Sequence, residues 1–177
     1  MTDFKDEVRD RIASYADETE MRKTAADFLR ASTQPKYSYN FSWQDRPVIQ
    51  YPQDIVAMQE LIWSIKPDLI IETGIAHGGS LIFSASMLAL IDMCDAIEKG
   101  SSIDPARSKR KVLGIDIDIR DHNRAALEAH PMFSRIEMIQ GSSIDEAIIT
   151  QVKKIANQYD CVMVCLDSNH THDHVRA

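Results

Sequence analysis

The stretch PDLIIETGIAHGGS, residues 67–80, sets the architecture. Leu69 to Thr73 is a short apolar run that reads as a buried strand. Behind it, glycines at 74, 78 and 79 open an apolar segment, Ser80 to Glu98, that is long enough for a helix and stops at Gly100. Strand, glycine-rich turn and helix form the first half of a βαβ unit.

The same rhythm repeats downstream. Lys111 to Ile115 reads as a strand ending in acid, followed by a helix near Arg120 to His130. Arg135 to Ile139 is the next strand. Ser143 with Glu146 has the spacing of a capping box and opens a helix on which Ile148, Val152 and Ile155 share a face. Asp160 to Leu166 is apolar without alternation, the pattern of a strand covered on both faces. Strands separated by helices imply right-handed crossovers and a parallel, doubly wound sheet.

Upstream, Phe4, Val8, Ile12 and Tyr15 recur at helical spacing. Ala25, Ala26, Phe28 and Leu29 make a second apolar patch. Pro35, Pro47 and Pro52 then punctuate an aromatic connector containing Tyr39, Phe41 and Trp43, whose rings are expected to cover the sheet or a neighbouring copy. Ile55, Met58, Ile62 and Ile65 mark one more helix, closed by Pro67. The expected division is therefore 1–52, N-terminal helices and aromatic connector, and 53–177, a ligand-binding α/β domain.

Composition narrows the function classes. With 177 residues, 44% hydrophobic and 27% charged, the chain has globular proportions. No uninterrupted apolar run reaches the roughly 20 residues of a membrane span. The opening MTDFKDEVRD lacks the apolar core of a secretory signal. A net charge of −7 argues against a broad nucleic-acid footprint. Three cysteines, Cys94, Cys161 and Cys165, read as buried reduced thiols. Together these features imply a cytoplasmic protein that acts on a small molecule, with no nucleic-acid or membrane partner. The basic stretch Lys99 to Lys111 reads as a solvated insertion.

Ligands of open α/β sheets bind beyond the carboxyl ends of the strands, so residues at the strand tips carry the chemistry. After the first strand, Glu72, Gly74, Ala76, Gly78 and Ser80 form E-x-G-x-A-x-G-x-S. Ala76 occupies the second glycine position of a dinucleotide fingerprint, and no lysine follows Gly79 as a nucleoside-triphosphate loop requires. A carboxylate before the turn repels pyrophosphate but attracts the cationic amino-acid end of S-adenosylmethionine. Asp116, at the second tip, is placed to accept both hydroxyls of an adenosine ribose. Ser142, at the third, is an adenine contact, while Ser143 caps the next helix.

The fourth tip, Asp167 to His174, holds three histidines and two acids. In one reading, Asp167 binds Mg²⁺ through oxygen and His170 is the general base for a cation-acidified hydroxyl. In another, His170, His172, Asp173 and His174 approximate the zinc motif H-x-H-x-D-H of metal-dependent hydrolases, one residue short. A third leaves a polar helix start capped by Asn169 or Thr171.

The segments 67–88, 112–120 (VLGIDIDIR), 139–145 (IQGSSID) and 166–175 (LDSNHTHDHV) together resemble the cephalosporin hydroxylase family. Residues 43–63 are similar to the family's lead-in, so the resemblance spans residues 37–177. Family members look like class I S-adenosylmethionine-dependent methyltransferases. The resemblance implies a Rossmann-like sheet and Mg²⁺-assisted O-methyl transfer to a hydroxyl of a small molecule, a sugar or secondary metabolite. Carried over by position, Glu72, Gly74 and Gly78 would frame the methionine part and Asp116 the ribose. Asp167 would be a metal ligand and His170 the catalytic histidine. The family's remaining metal ligands, an adjacent acidic pair, follow a further strand. The chain therefore reads as C-terminally truncated, with four of seven strands in the order 3-2-1-4. It also reads as homo-oligomeric, through its aromatic layer and bare strand edge. Two other functions stay open: a truncated, non-catalytic cofactor-binding or subunit-packing module, and the metal-dependent hydrolase.

Overall fold

The structure, a computed structural model, describes residues 3–176. It comprises two compact units, Met1–Ser38 and Tyr39–Ala177. The first holds two helices, α1 (Phe4–Ser14) and α2 (Thr19–Thr33). Asp3 caps α1 by accepting from the Lys5 amide, and Phe28 meets Tyr37 edge-on at 5.5 Å. The sequence places a boundary at 52/53. The units divide instead at 38/39, because the connector folds into a hairpin seated on the α/β body.

That hairpin, β1 (Phe41–Trp43) and β2 (Arg46–Val48), is antiparallel and turns through Gln44 and Asp45. The Trp43 ring packs edge-on against Phe83 at 4.9 Å and its Nε1 donates to Ser86 Oγ at 3.0 Å. Trp43 thus packs on the helix Gly79–Lys99, whereas the sequence predicts aromatics that cover the sheet or a neighbouring copy.

Helix α3 (Pro52–Ile65) starts at a proline that needs no donor and ends on Lys66 in the left-handed region. Then follow β3 (Leu69–Thr73), α4 (Gly79–Lys99), β4 (Lys111–Asp116), α5 (Asp121–Glu128), β5 (Ile136–Gln140), α6 (Glu146–Ala156), β6 (Val162–Leu166) and α7 (His172–Arg176). The four long strands form a parallel sheet in the order β5-β4-β3-β6. This is the doubly wound α/β arrangement and the 3-2-1-4 order expected. Helices lie on both faces because strand side chains alternate. Ile70 and Val112 join α3, α4 and α5 in one core cluster. Leu69, Ile71, Leu113 and Ile115 pack against Ile148, Val152 and Ile155 of α6 in the other.

By length and apolarity alone α4 could cross a membrane. Burial accounts for its composition: Leu81 to Leu88 and Ile91 lie inside the first cluster's face. The missing alternation in Asp160 to Leu166 has a different outcome. β6 is the sheet's edge, and Val162, Val164 and Leu166 are exposed, since α6 covers β3 and β4 but not β6. The expected double coverage is therefore corrected to single coverage.

Two smaller corrections concern caps and charges. Helix α6 is capped by Asp145, not Ser143: Asp145 Oδ1 accepts from the amides of Ala147 and Ile148 at 2.8 and 3.4 Å. Asp145 stands directly before the first helical residue, where a carboxylate reaches the free amides. In the basic insertion, Arg110 is held by Asp92 and Asp95, and buried Arg135 also donates to Asp92, at 2.6 Å. Of that stretch, Arg107 and Lys109 stay solvated. The cysteines are free and half-buried, not fully buried.

Candidate functional site

Four strand tips meet at the carboxyl edge of the sheet. They line a crevice of about 480 Å³ with residues from Gly74–Ser80, Ile115–Ile117, Gly141–Ser143 and Asp167–Asn169. That volume lies within the roughly 300–1,000 Å³ usual for small-molecule sites. The hairpin closes one side through Pro47, Val48, Ile49 and Gln50.

The loop after β3 takes its shape from glycine and from Asp116. Gly74 has φ +92°, and a Cβ there would lie 2.1 Å from the Asp167 carbonyl oxygen, so the β3 and β6 tips touch because residue 74 has no side chain. Asp116 Oδ2 accepts from the amides of Ile75 (2.7 Å) and Ala76 (3.3 Å), and Oδ1 accepts from Asp118 N at 3.0 Å. Asp116 was expected to accept both hydroxyls of a ribose; in the structure it pins the loop. A carboxylate offers about four acceptor positions, so three bound amides leave one for a hydroxyl.

Glu72 lies beneath this loop. Its side chain points to the α4 face, is only 3% exposed, and accepts from the Ser80 hydroxyl. Burial pushes its pKa from 4.5 up to about 7; the Ser80 hydrogen bond works against the rise and the Asp167 charge adds to it. Glu72 does not line the crevice but communicates with it through Ser80, which does. It borders an adjoining cavity of about 330 Å³ with Phe83, Met163 and Asp167.

Of the other residues expected at the site, Gly74, Ala76, Ser80, Asp116, Ser142 and Asp167 line the crevice. Gly78 does not: it caps α4 and faces Leu127, where a Cβ would clash. His170 also lies outside, bordering a smaller neighbouring cavity with Thr73 and Leu166. Its Nε2 is 3.4 Å from Asp167 Oδ1. Burial raises the Asp167 pKa, and His170 opposes the rise.

The three histidines diverge. His170 turns to Asp167, His172 to Asp173 at 3.1 Å, and His174 Nε2 lies 3.2 Å from Ser143 Oγ and 3.3 Å from Ser168 Oγ. Among the described residues, no three His, Cys, Asp or Glu side chains gather to hold a metal ion. The zinc arrangement therefore finds no geometric support. Asn169 accepts from Thr171 N at 3.0 Å, as the polar helix-start reading has it.

Sequence reasoning missed two contributors and misjudged a third. His174, considered only as a zinc ligand, lines the crevice where His170 does not. Asn123 of α5 is buried and donates from Nδ2 to the Ala76 carbonyl at 2.9 Å. Arg46 of the hairpin donates from Nε to the His77 carbonyl at 3.0 Å and from Nη2 to Asn123 Oδ1 at 3.2 Å. The one signal for Arg46 was a two-residue gap between short β-prone triplets, which lacks the Asn-Gly or Asp-Gly that marks a tight hairpin.

Comparison with known proteins places this geometry in context. Residues 35–177 match the family model described as Rhamnosyl O-methyltransferase/CmcI. The chain is 27% identical over 137 residues to a rhamnosyl O-methyltransferase of Mycobacterium leprae, covering 77% of this chain and 51% of the relative. It is 29% identical over 126 residues to the Mycobacterium tuberculosis protein of that name, covering 70% and 43%. The chain thus spans about half the length of these relatives. An apo structure of CmcI superposes with a TM-score of 0.52 at 16% identity, over 76% of this chain and 48% of that one. A Mg-SAM structure of CmcI gives 0.52 at 15% identity, over 78% and 50%. At that identity the likeness is one of fold.

Proposed function

The chain belongs to the rhamnosyl O-methyltransferase/CmcI family, and from that premise we propose that its crevice binds S-adenosylmethionine for O-methyl transfer to a small-molecule hydroxyl, a sugar hydroxyl in the first instance. The observation that carries this reading is the convergence of the glycine loop, Asp116 and Ser142 on one crevice at the sheet's carboxyl edge. The relatives' name, rhamnosyl O-methyltransferase, supports a sugar as acceptor.

The residues present fit the cofactor. Gly74 lets the β3 and β6 tips close together, Asp116 keeps one acceptor position for a ribose hydroxyl, and Ser142 stands at the adenine end. Glu72, whose pKa burial raises to about 7, lies behind Ser80, where the cationic amino-acid end would favour its ionised form. When bound, the cofactor supplies an electrophilic sulfonium methyl, so the protein's main task is alignment.

The metal fits less well. Asp167 is the carboxylate that would face a Mg²⁺ ion, but the described residues offer no three-ligand set. His170, in the cavity beside the crevice, and Asp167, 3.4 Å from it, are the pair we assign to receiving the acceptor's proton.

The test is transfer of isotope-labelled methyl from S-adenosylmethionine to rhamnosyl glycosides. His170→Ala is expected to lower the rate by about 10²-fold or more, the usual contribution of a general base. Undiminished transfer by that variant would remove His170 from the chemistry. Labelling of no hydroxyl acceptor would favour the non-catalytic module.

A further inference from the structure

The glycine loop is gripped through both its amides and its carbonyls. On its inner side, Asp116 holds the amides of Ile75 and Ala76. On its outer side, Asn123 Nδ2 takes the Ala76 carbonyl and the Arg46 guanidinium takes the His77 carbonyl. Arg46 also donates to Asn123, so the two outer groups form one unit. Residue 76 requires this grip: it is an alanine at φ +46°, in the left-handed region that L residues occupy at a cost.

The hairpin is shaped to deliver Arg46. Its two turn residues, Gln44 (φ +46°) and Asp45 (φ +64°), both sit at positive φ, as a two-residue hairpin loop demands, yet neither is glycine. The strained turn is tied down where the Gln44 carbonyl meets His130 Nε2 at 3.2 Å. The arm is seated where Pro47 O touches Gly79, since a Cβ at Gly79 would lie 2.2 Å from that oxygen. Trp43 against Phe83 anchors its other strand.

We infer that Arg46 and Asn123 are positioning residues: they fix the Ala76 and His77 carbonyls so that the loop is set in its ligand-receiving shape before a ligand arrives. Setting the loop in advance removes an ordering cost from binding. Arginine places both Nε and Nη2 on the His77 carbonyl while Nη2 also reaches Asn123 Oδ1, a planar fork that the ammonium of a flexible lysine stem does not reproduce. The consequence for cofactor affinity rests on the function proposed above; the consequence for the loop does not.

The experiment compares the unmodified chain with Arg46→Lys, Asn123→Ala and Asp45→Gly. Hydrogen exchange and proton chemical shift at the Ile75 and Ala76 amides are read without ligand, and S-adenosylhomocysteine affinity by calorimetry. Trp43 emission reports whether the hairpin stays seated. Arg46→Lys and Asn123→Ala are expected to lose about tenfold or more in amide protection and to bind about tenfold more weakly. Trp43 emission should not move. Asp45→Gly relieves the turn and keeps Arg46, so protection and affinity should stay at the original level. Unchanged protection in Asn123→Ala, which leaves the hairpin intact, would overturn the inference. So would an equal loss in Asp45→Gly. If the unmodified chain binds no S-adenosylhomocysteine, the cofactor reading fails, and the loop amides still decide the clamp.

Discussion

Replacing Glu72 by glutamine tests the least ordinary feature of the site, a carboxyl group with almost no contact with water. In the folded chain its pKa is raised to about 7, whereas in the unfolded chain it titrates near 4.5. Below about 4.5 both states carry the proton, and burial of the neutral acid costs little. Between 4.5 and 7 the unfolded chain has ionised and the folded chain has not. The folded state then binds more protons, and stability falls as the pH rises. Each pKa unit corresponds to about 1.4 kcal/mol, so the loss approaches 3 kcal/mol above neutrality, a large share of the 5–15 kcal/mol typical of a domain. Glutamine keeps the shape and can still accept from Ser80, but it does not titrate. Urea unfolding of both proteins across pH 4.5–8 isolates Glu72 together with its coupling to Asp167, because titrations not coupled to Glu72 cancel in the difference. The stability of Glu72→Gln relative to the original chain should climb by about 3 kcal/mol across that window and then level off. A difference that stays flat with pH would refute the burial argument.

Further outcomes follow from the caps, the ion network and the loop. Asp145→Ala should cost about 1 kcal/mol in urea unfolding, the usual value of an N-cap, while Ser143→Ala should leave α6 unaffected. Asp92→Ala leaves Arg135, which is 3% exposed, without its carboxylate and should cost about 3–5 kcal/mol. Asp92 is held below the usual carboxylate range: burial raises its pKa, but hydrogen bonds from Ser108, Arg135 and Arg110 outweigh that. Its contribution should therefore fade only in acid, as the pH falls below the ordinary carboxylate range. Gly74→Ala must place a methyl against the Asp167 carbonyl. It should lower the melting temperature and weaken S-adenosylhomocysteine binding, both measurable in one thermal-shift titration.

Much of the fold was legible because apolar runs and their punctuation coincide. Leu69 to Thr73 is bounded by Pro67 and Gly74, and α4 runs until Gly100 ends it. The crossovers gave a parallel sheet, and the strand order came from the family resemblance. What escaped the sequence depended on neighbours. The apolar run at β6 reports what each residue tolerates, not whether a helix covers it, so exposure of Val164 and Leu166 was invisible. The hairpin escaped because its strands are three residues long and its turn carries no glycine. At the site, Asp116 and the glycine loop were found because strand tips are positions of chemistry in any parallel sheet. Burial of Glu72 was available in principle, since it shares strand parity with Ile70 and so faces α4. Arg46 and Asn123 lie 31 and 47 residues from the carbonyls they hold; only the folded chain brings them together.

Calorimetric titration of the chain with S-adenosylmethionine, and separately with the pyrophosphate-bearing NAD⁺, tests the central claim most directly. The account expects S-adenosylmethionine to bind at one site, NAD⁺ to give no heat, and Asp116→Ala to abolish the signal. Binding of NAD⁺ in place of S-adenosylmethionine, or S-adenosylmethionine binding indifferent to Asp116→Ala, would contradict it.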